Sequence, residues 1–301
     1  MSYCSKQRDL KVCKLNYTAV LLILSAALII VFISCTDVRK GKASLPHWRD
    51  VSEEVGVNKG TDEHGSYGPM WADLNNDGWL DLIFLNHGDP FSLYVNQGGR
   101  SFIDRFPLSG IRTEPTYPEQ LDRHGGACGD YDNDGLVDLI ITHGAKHGET
   151  LGIKYDELLK NRGGLTFEEV SHRAGVLNSW GRARTPTWID FNNDGWLDLY
   201  IGNMVTPNVL YKNNGDGTFR DVTEIAGLGT EKGVRQAWAD FDKDGWIDVL
   251  IVRPISLYRN NGDGTFSDVT REAGLNPYKP GEAMAIAWGD YDNDGYPDLF
   301  I

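Results

Sequence analysis

Cysteine is almost absent beyond the N-terminus. Of four in 301 residues, Cys4, Cys13 and Cys35 come early and only Cys128 lies in the body of the chain. A disulfide framework is therefore excluded, and no Cys-x-x-Cys pair offers a thiolate metal site. The sequence also contains no G-x-S-x-G, H-E-x-x-H, P-loop or G-x-G-x-x-G, which removes the common signatures of hydrolases, zinc proteases and nucleotide enzymes. Positive charge is scarce: 29 Lys and Arg face 43 Asp and Glu, for a net −14. Residues 1–34 contribute +3 (Lys6, Arg8, Lys11 and Lys14 against Asp9), so the remainder carries −17. Phosphate recognition needs a basic footprint, so this charge argues against a nucleic-acid partner. No segment has a long helical period.

What is present is one acidic nonapeptide, Asp-x-(Asp/Asn)-x-Asp-Gly-x-x-Asp, in five copies. They begin at Asp73, Asp130, Asp190, Asp240 and Asp290, with spacings of 57, 60, 50 and 50 residues. A nearly fixed period signals a repeat architecture. Side-chain oxygens at positions 1, 3 and 5 converge when the chain curls tightly, and a glycine at position 6 (Gly78, Gly135, Gly195, Gly245, Gly295) allows the positive φ that the curl demands. Position 7 can add a backbone carbonyl, and the aspartate at position 9 closes the shell. The expected oxygen ligands are Asp73, Asn75, Asp77, Trp79 and Asp81; Asp130, Asp132, Asp134, Leu136 and Asp138; Asp190, Asn192, Asp194, Trp196 and Asp198; Asp240, Asp242, Asp244, Trp246 and Asp248; and Asp290, Asp292, Asp294, Tyr296 and Asp298. Five or more hard, flexible oxygen donors suit Ca²⁺ better than Mg²⁺, so up to five calcium ions are expected. Asn75 and Asn192 keep an oxygen but remove a charge, which predicts weaker sites in the first and third loops. Turn propensity alone would also favour Asp, Asn and Gly; five copies with Asp at positions 1, 5 and 9 argue for the ion.

The loop is not an EF-hand. Position 12, where that motif places its bidentate glutamate, holds Phe84, Ile141, Ile201, Ile251 and Ile301. These belong to short apolar runs (DLIFL, DLIIT, DLYIG, DVLIV, DLFI) that read as buried strands. Each loop therefore joins two strands. A second pattern, LYKNNGDGTFRDVTEIAGL from Leu210 and its relatives from Leu93, Leu158 and Leu257, adds a strand, a hairpin turn with Asn and Gly for positive φ, and another strand. A further strand ends in Trp-x-Asp at Trp71, Trp188, Trp238 and Trp288. Four short strands per 50 to 60 residues predict an all-β chain of β-propeller blades, Pro69–Arg105, Ala127–Val170, Thr187–Val222 and Gln236–Val269, with a fifth begun before Ile301.

The alternation of these two patterns resembles the FG-GAP/VCBS repeat family, in particular the bacterial relatives of cartilage acidic protein 1 (the ASPIC/UnbV group), over residues 47–301. The resemblance implies a propeller with calcium at its blade loops and a role in adhesion or in matrix or surface binding. His47–Val57 reads as the last strand of a blade, and the chain stops after the second strand of its fifth blade, so an incomplete ring truncated at the C-terminus is expected.

Residues 1–35 begin with basic residues, followed by the apolar run Tyr17–Ile33 and then Ser34-Cys35. This is a targeting segment. Cys35 suits a bacterial lipobox; an uncleaved signal anchor and an ordinary signal peptide are the alternatives. Each exports the rest, with 36–46 as a tether and 47–301 as the propeller, to the periplasm or cell surface. Cys128 occupies the slot that carries Trp in the other repeats, which predicts a packing role. His64, His87, His124, His143 and His147 read as polar rim residues, while Arg184 and Arg235 are candidates to pair with loop carboxylates. The leading functional expectation is a calcium-binding, non-enzymatic module for an extracellular protein or glycan, attached to the membrane by lipid or anchor; the alternative is a calcium-dependent polysaccharide lyase-like enzyme.

Overall fold

The computed structural model describes residues 49–57, 66–86, 92–106, 109–110, 123–144, 156–178, 182–229, 233–252, 254–275 and 285–301. The leader, the tether, Cys35, His64, His87 and His147 lie outside these residues. Among the described residues no helix is long and apolar enough to cross a membrane.

The strands form successive antiparallel sheets, each a simple meander. The first holds β1 (Ser66–Ala72), β2 (Asp81–Asn86), β3 (Ser92–Asn96) and β4 (Phe102–Asp104). The second holds β5 (Arg123–Gly129), β6 (Asp138–His143), β7 (Glu157–Asn161) and β8 (Phe167–Glu169), followed by α1 (Ser171–Ala174), the one helix among the described residues. The third holds β9 (Ala183–Ile189), β10 (Asp198–Asn203), β11 (Val209–Asn213) and β12 (Phe219–Asp221), and the fourth β13 (Arg235–Ala239), β14 (Asp248–Val252), β15 (Ser256–Asn260) and β16 (Phe266–Asp268). β17 (Ala287–Gly289) pairs with β18 (Asp298–Phe300). The first strand of each sheet lies beside that of the next, β1 by β5, β5 by β9, β9 by β13 and β13 by β17. This is the arrangement of propeller blades; among the described residues no strand pairing closes them into a ring.

The second strand of each blade shows why the blades stack. A strand sends successive side chains to opposite faces. On β6, Leu139 and Ile141 enter a core shared with the first blade, while Ile140 enters one shared with the third. On β10, Leu199 and Ile201 face back and Tyr200 faces forward; on β14, Val249 and Ile251 face back and Leu250 and Val252 forward. Every one of these residues is fully buried. An uninterrupted apolar run is therefore needed, because both faces of the strand are covered. At about 25 cal/mol per Å² of apolar surface, each such side chain contributes about 1.5–3 kcal/mol, and the cores it enters span two blades.

Polar groups add register. The Trp188 indole N–H donates to the Ala127 carbonyl and that of Trp288 to the Ala237 carbonyl, both at 3.4 Å, tying the third blade to the second and the fifth to the fourth. Tyr131 stacks on Trp188 with ring centroids 6.0 Å apart, and Phe241 on Trp288 at 6.4 Å. Cys128 stands opposite Leu139 in the register where Trp188 stands opposite Leu199, and packs against the core of the first two blades. Burial pushes its thiol up to about 12, so it is a packing residue and not a thiolate nucleophile.

The strands differ from the expected limits at two places. The first strands of the four complete sheets begin one to four residues earlier than the Trp-x-Asp pattern suggested, at Ser66, Arg123, Ala183 and Arg235. Their early halves are polar or glycine-rich and carry no apolar signal. The second difference concerns the start of the repeat region: residues 49–57 form turns and no strand. Val55 N–H bonds Val51 O at 3.0 Å and Val57 N–H bonds Ser52 O at 2.8 Å, which repeats the turn after β12, where Ala226 bonds Val222 at 2.7 Å and Leu228 bonds Thr223 at 3.0 Å. In both places the tail accepts from the outer strand of the following blade: Phe102 N–H to Val55 O at 2.7 Å, and Phe266 N–H to Ala226 O at 2.8 Å. The segment is thus a turn stapled onto the outer strand of the first blade, and its Val-Gly pair serves that turn.

Candidate metal centres

Each acidic nonapeptide is the connection between the first and second strands of its blade, at one end of the sheet. The curl is held by the loop's own carboxylates. The position 1 aspartate accepts from the position 5 amide through Oδ1 and from the glycine amide through Oδ2, at 2.8–3.1 Å in all five copies. The position 5 aspartate accepts from the amide of Trp79, Leu136, Trp196, Trp246 or Tyr296 at 2.8–3.0 Å. The glycines take φ of 85–91°, as expected, and position 4 is left-handed as well: Asn76, Asn133, Asn193, Lys243 and Asn293 have φ of 54–61°. Those asparagines do something no single repeat could reveal. Asn76 Nδ2 donates to the Gly135 carbonyl at 2.8 Å, Asn133 to Gly195 at 3.2 Å and Asn193 to Gly245 at 3.0 Å, linking each loop to the next.

Four of the five position 9 aspartates are buried keystones; Asp298 is half-buried. Asp81, Asp138, Asp198 and Asp248 are each 0% exposed. One oxygen accepts from the position 2 amide (Leu74, Tyr131, Phe191, Phe241, at 3.0–3.3 Å). The other accepts from the asparagine that ends the third strand (Asn96, Asn161, Asn213, Asn260, at 2.7–2.8 Å). Three of these asparagines also reach back a blade: Asn161 Nδ2 to Leu74 O at 2.9 Å, Asn213 to Tyr131 O at 2.8 Å and Asn260 to Phe191 O at 2.7 Å. Burial pushes the Asp138 and Asp198 carboxyls up to about 7 and Asp248 up to about 6; the amide donors oppose this and the neighbouring loop aspartates reinforce it. Asp81 is raised for the same reason. A cation at these loops would relieve both the burial penalty and the like-charge repulsion.

Three carboxylates converge in the second, fourth and fifth loops, with ligand atoms of Asp130, Asp132 and Asp138, of Asp240, Asp242 and Asp248, and of Asp290, Asp292 and Asp294 all within 4.8 Å of one another. The donor set fits a hard divalent cation. Asp132 Oδ1 and Asp242 Oδ1 are buried with no hydrogen-bond partner, a costly state for a carboxylate oxygen unless a cation takes it. In the first and third loops the asparagine oxygen at position 3 is taken up locally: Asn75 Oδ1 accepts from Asp77 N–H and Asn192 Oδ1 from Asp194 N–H, each at 3.0 Å, while Asn192 Nδ2 is buried without a partner.

The side chain at position 7 has a second use. The Trp196 and Trp246 indoles lie over the hairpin glycines Gly215 and Gly262, where an added Cβ would come within 3.1 and 2.8 Å of the ring. The hairpin glycine is thus required by the loop's tryptophan as well as by its own turn.

The remaining candidates are not at these loops. His124 lies in β5 and His143 ends β6, at the end of the strands away from Asp130. They are not rim residues in turns, and His143 is buried. Its Nε2 is 3.2 Å from Glu157 Oε2, which also receives Arg123 Nε at 3.1 Å. Burial resists ionisation of Glu157, but the Arg123 guanidinium and His143 hold its carboxyl below the usual range. Asp156 beside it is pushed up to about 6 by burial, against donors from His143 N–H at 2.8 Å and Asn178 Nδ2 at 2.7 Å. This polar knot was hidden because the LDRHGGACGD segment reads as a loop, whereas its glycines let β5 pack closely. Arg184 and Arg235 sit at the starts of β9 and β13, about 17 Å along the strand from their own blade's acidic loop. That spacing along the strand puts those carboxylates beyond the reach of an arginine side chain.

The chain is 29% identical to cartilage acidic protein 1 of Mus musculus and of Homo sapiens over 171 residues, covering 56% of this chain and 23% of each relative. It therefore spans about a quarter of the length of those relatives. Among solved structures, a lectin of Agrocybe aegerita that recognises non-reducing terminal N-acetylglucosamine aligns over 79% of this chain and 60% of its own, with TM-score 0.46 and 21% identity. The biofilm matrix protein Bap1 of V. cholerae aligns over 64% and 30%, with TM-score 0.40 and 19% identity. Matches at residues 73–141, 130–201, 190–251 and 253–301 cover well over half of the sequence, and the chain belongs to the FG-GAP-like repeat family.

Proposed function

We propose that this chain is a calcium-binding, exported propeller that serves as a binding or adhesion module at the cell surface or in the periplasm. The observation that carries the reading is the pair of buried, unpartnered oxygens, Asp132 Oδ1 and Asp242 Oδ1, each inside a cluster of convergent carboxylates. Calcium would neutralise the loops and stiffen the end of each blade. The ligands would be positions 1, 3, 5 and 9, with a carbonyl from position 7. A partner protein or glycan would then meet a rigid surface. A groove of about 840 Å³ between Leu177, Thr206, Pro207, Tyr211 and Ile225 offers ligand-sized room at the other end of the strands. Beside it, the exposed Met204 and Val205 add apolar surface.

Calorimetric titration tests the metal assignment. Asp244→Ala is expected to abolish a tighter calcium site than Asp77→Ala does, because the fourth loop has four carboxylates and the first has three. The reverse order would show that charge count does not set affinity. Attachment is tested separately. Cys35→Ser should leave an uncleaved precursor and stop incorporation of labelled fatty acid in a bacterial host; normal processing would indicate an ordinary signal peptide.

A further inference from the structure

Two lysines reach into acidic loops from the same place in the fold. Lys160 on β7 and Lys212 on β11 each precede the asparagine that ends the third strand of the blade. Lys160 Nζ pairs with Asp132 and lies 3.1 Å from Asp134 Oδ2, and its side chain is only 15% exposed. Lys212 Nζ lies 3.3 Å from Asp194 Oδ2, with the side chain 34% exposed. The corresponding residue of the first blade is Val95, which carries no charge, and that of the fourth is Arg259, which is exposed and forms no ion pair among the described residues. The four complete blades therefore grade from a strongly engaged ammonium, through a partly engaged one, to none.

We propose that Lys160 and Lys212 are tethered counter-cations that lower the calcium affinity of the second and third loops below that of the fourth. The inference rests on the calcium reading above. An ammonium at Asp132 and Asp134 claims oxygens that a calcium ion in the same loop would need, so the ion must displace it. The lysine stem is flexible and its head is a compact, strongly hydrated charge, so it can withdraw to solvent when the ion enters. Before that, it neutralises part of the carboxylate crowding and holds the loop in shape. Counting carboxylates alone ranks the second loop equal to the fourth; counting the lysine that pairs with those carboxylates places it below, because Lys243 inside the fourth loop turns its Nζ over the Tyr296 ring, 4.6 Å from the centroid.

The test uses the full chain with terbium as the probe. Tryptophan at position 7 lets the first, third and fourth loops sensitise terbium emission, and L136W gives the second loop the same reporter. K160M in the L136W background is expected to lower the half-saturating terbium concentration of the second-loop signal about tenfold. K212M should do so several-fold for the component lost in W196F, while R259M leaves the fourth loop unchanged. In EGTA, K160M should melt below the parent protein, yet gain more on adding calcium; a merely structural lysine would lower both melts equally. Calcium calorimetry of K160M without the reporter reads the same change and does not depend on L136W folding. An unchanged second-loop midpoint in K160M, with the fourth loop still binding, overturns this proposal alone. If no loop titrates in any variant, the calcium reading falls and this proposal with it.

Discussion

In 1 mM Ca²⁺ the protein is expected to melt on the order of 10–20 °C above its melting temperature in EGTA. A cation bound only by the folded loops stabilises by mass action, about 1.4 kcal/mol per site at ten times Kd, and extracellular calcium modules have Kd of about 10⁻⁴–10⁻³ M. Each kcal/mol shifts the melting temperature of a domain this size by about 2–4 °C. The molecular source is the buried position 9 carboxylates, 0% exposed and raised in pKa by that burial, together with the unpartnered oxygens of Asp132 and Asp242. Those costs persist in EGTA and are removed by the ion. Thermal melts followed by circular dichroism check this, and an unchanged melting temperature would refute calcium binding at the loops. Magnesium at the same concentration should do much less, because it gives up its waters reluctantly and demands a stricter octahedron.

Gly125→Ala is the single-methyl change expected to do most damage. Gly125 lies in β5 where that strand runs beside β9, and a Cβ built there would overlap the Arg184 carbonyl of the neighbouring blade and crowd Thr142 Oγ1 at 2.8 Å. Backbone cannot move aside as a side chain can. The substitution should force the two first strands apart and cost about 3 kcal/mol or more, at the upper end of overpacking effects. Gly289→Ala is the matched control. It too lies in a first strand, but nothing stands within 4 Å of its added Cβ, so its cost should stay below about 1 kcal/mol. Guanidinium denaturation of the two variants decides the matter: equal losses would mean that the close approach of β5 and β9 does not hold the blades together.

The close approach at Gly125 also marks where sequence reasoning stops. The acidic curl was legible because its determinants are local: Asp at 1, 5 and 9 and Gly at 6 satisfy one another within nine residues, and the glycine φ of 85–91° is what that spacing demands. The second strand of each blade was legible because both of its faces are buried, which forces an unbroken apolar run such as Leu139-Ile140-Ile141. The hairpins were legible for the same local reason, although the positive φ falls on their glycines, and on Leu165 in the second blade, and not on the asparagines.

What the tertiary structure decided are the relations between blades, in which the partners are about 50 to 90 residues apart. Asn76 reads as one more turn former, yet its amide donates to Gly135 of the next loop; Asn161 reads as part of a hairpin, yet it carries the carbonyl of Leu74. The starts of the first strands were invisible because Arg123 to Gly126 are polar or glycine residues that form a strand only where another blade packs on them. His143 and Glu157 gave no hint of meeting, since a charged residue is buried only where a partner from another strand compensates it. The chain's composition and spacing determined the blades and the chemistry of their loops. Which polar side chain bridges to which neighbour, and which loop holds a lysine, was settled only when the blades packed, because those contacts depend on distances between strands that no local pattern encodes.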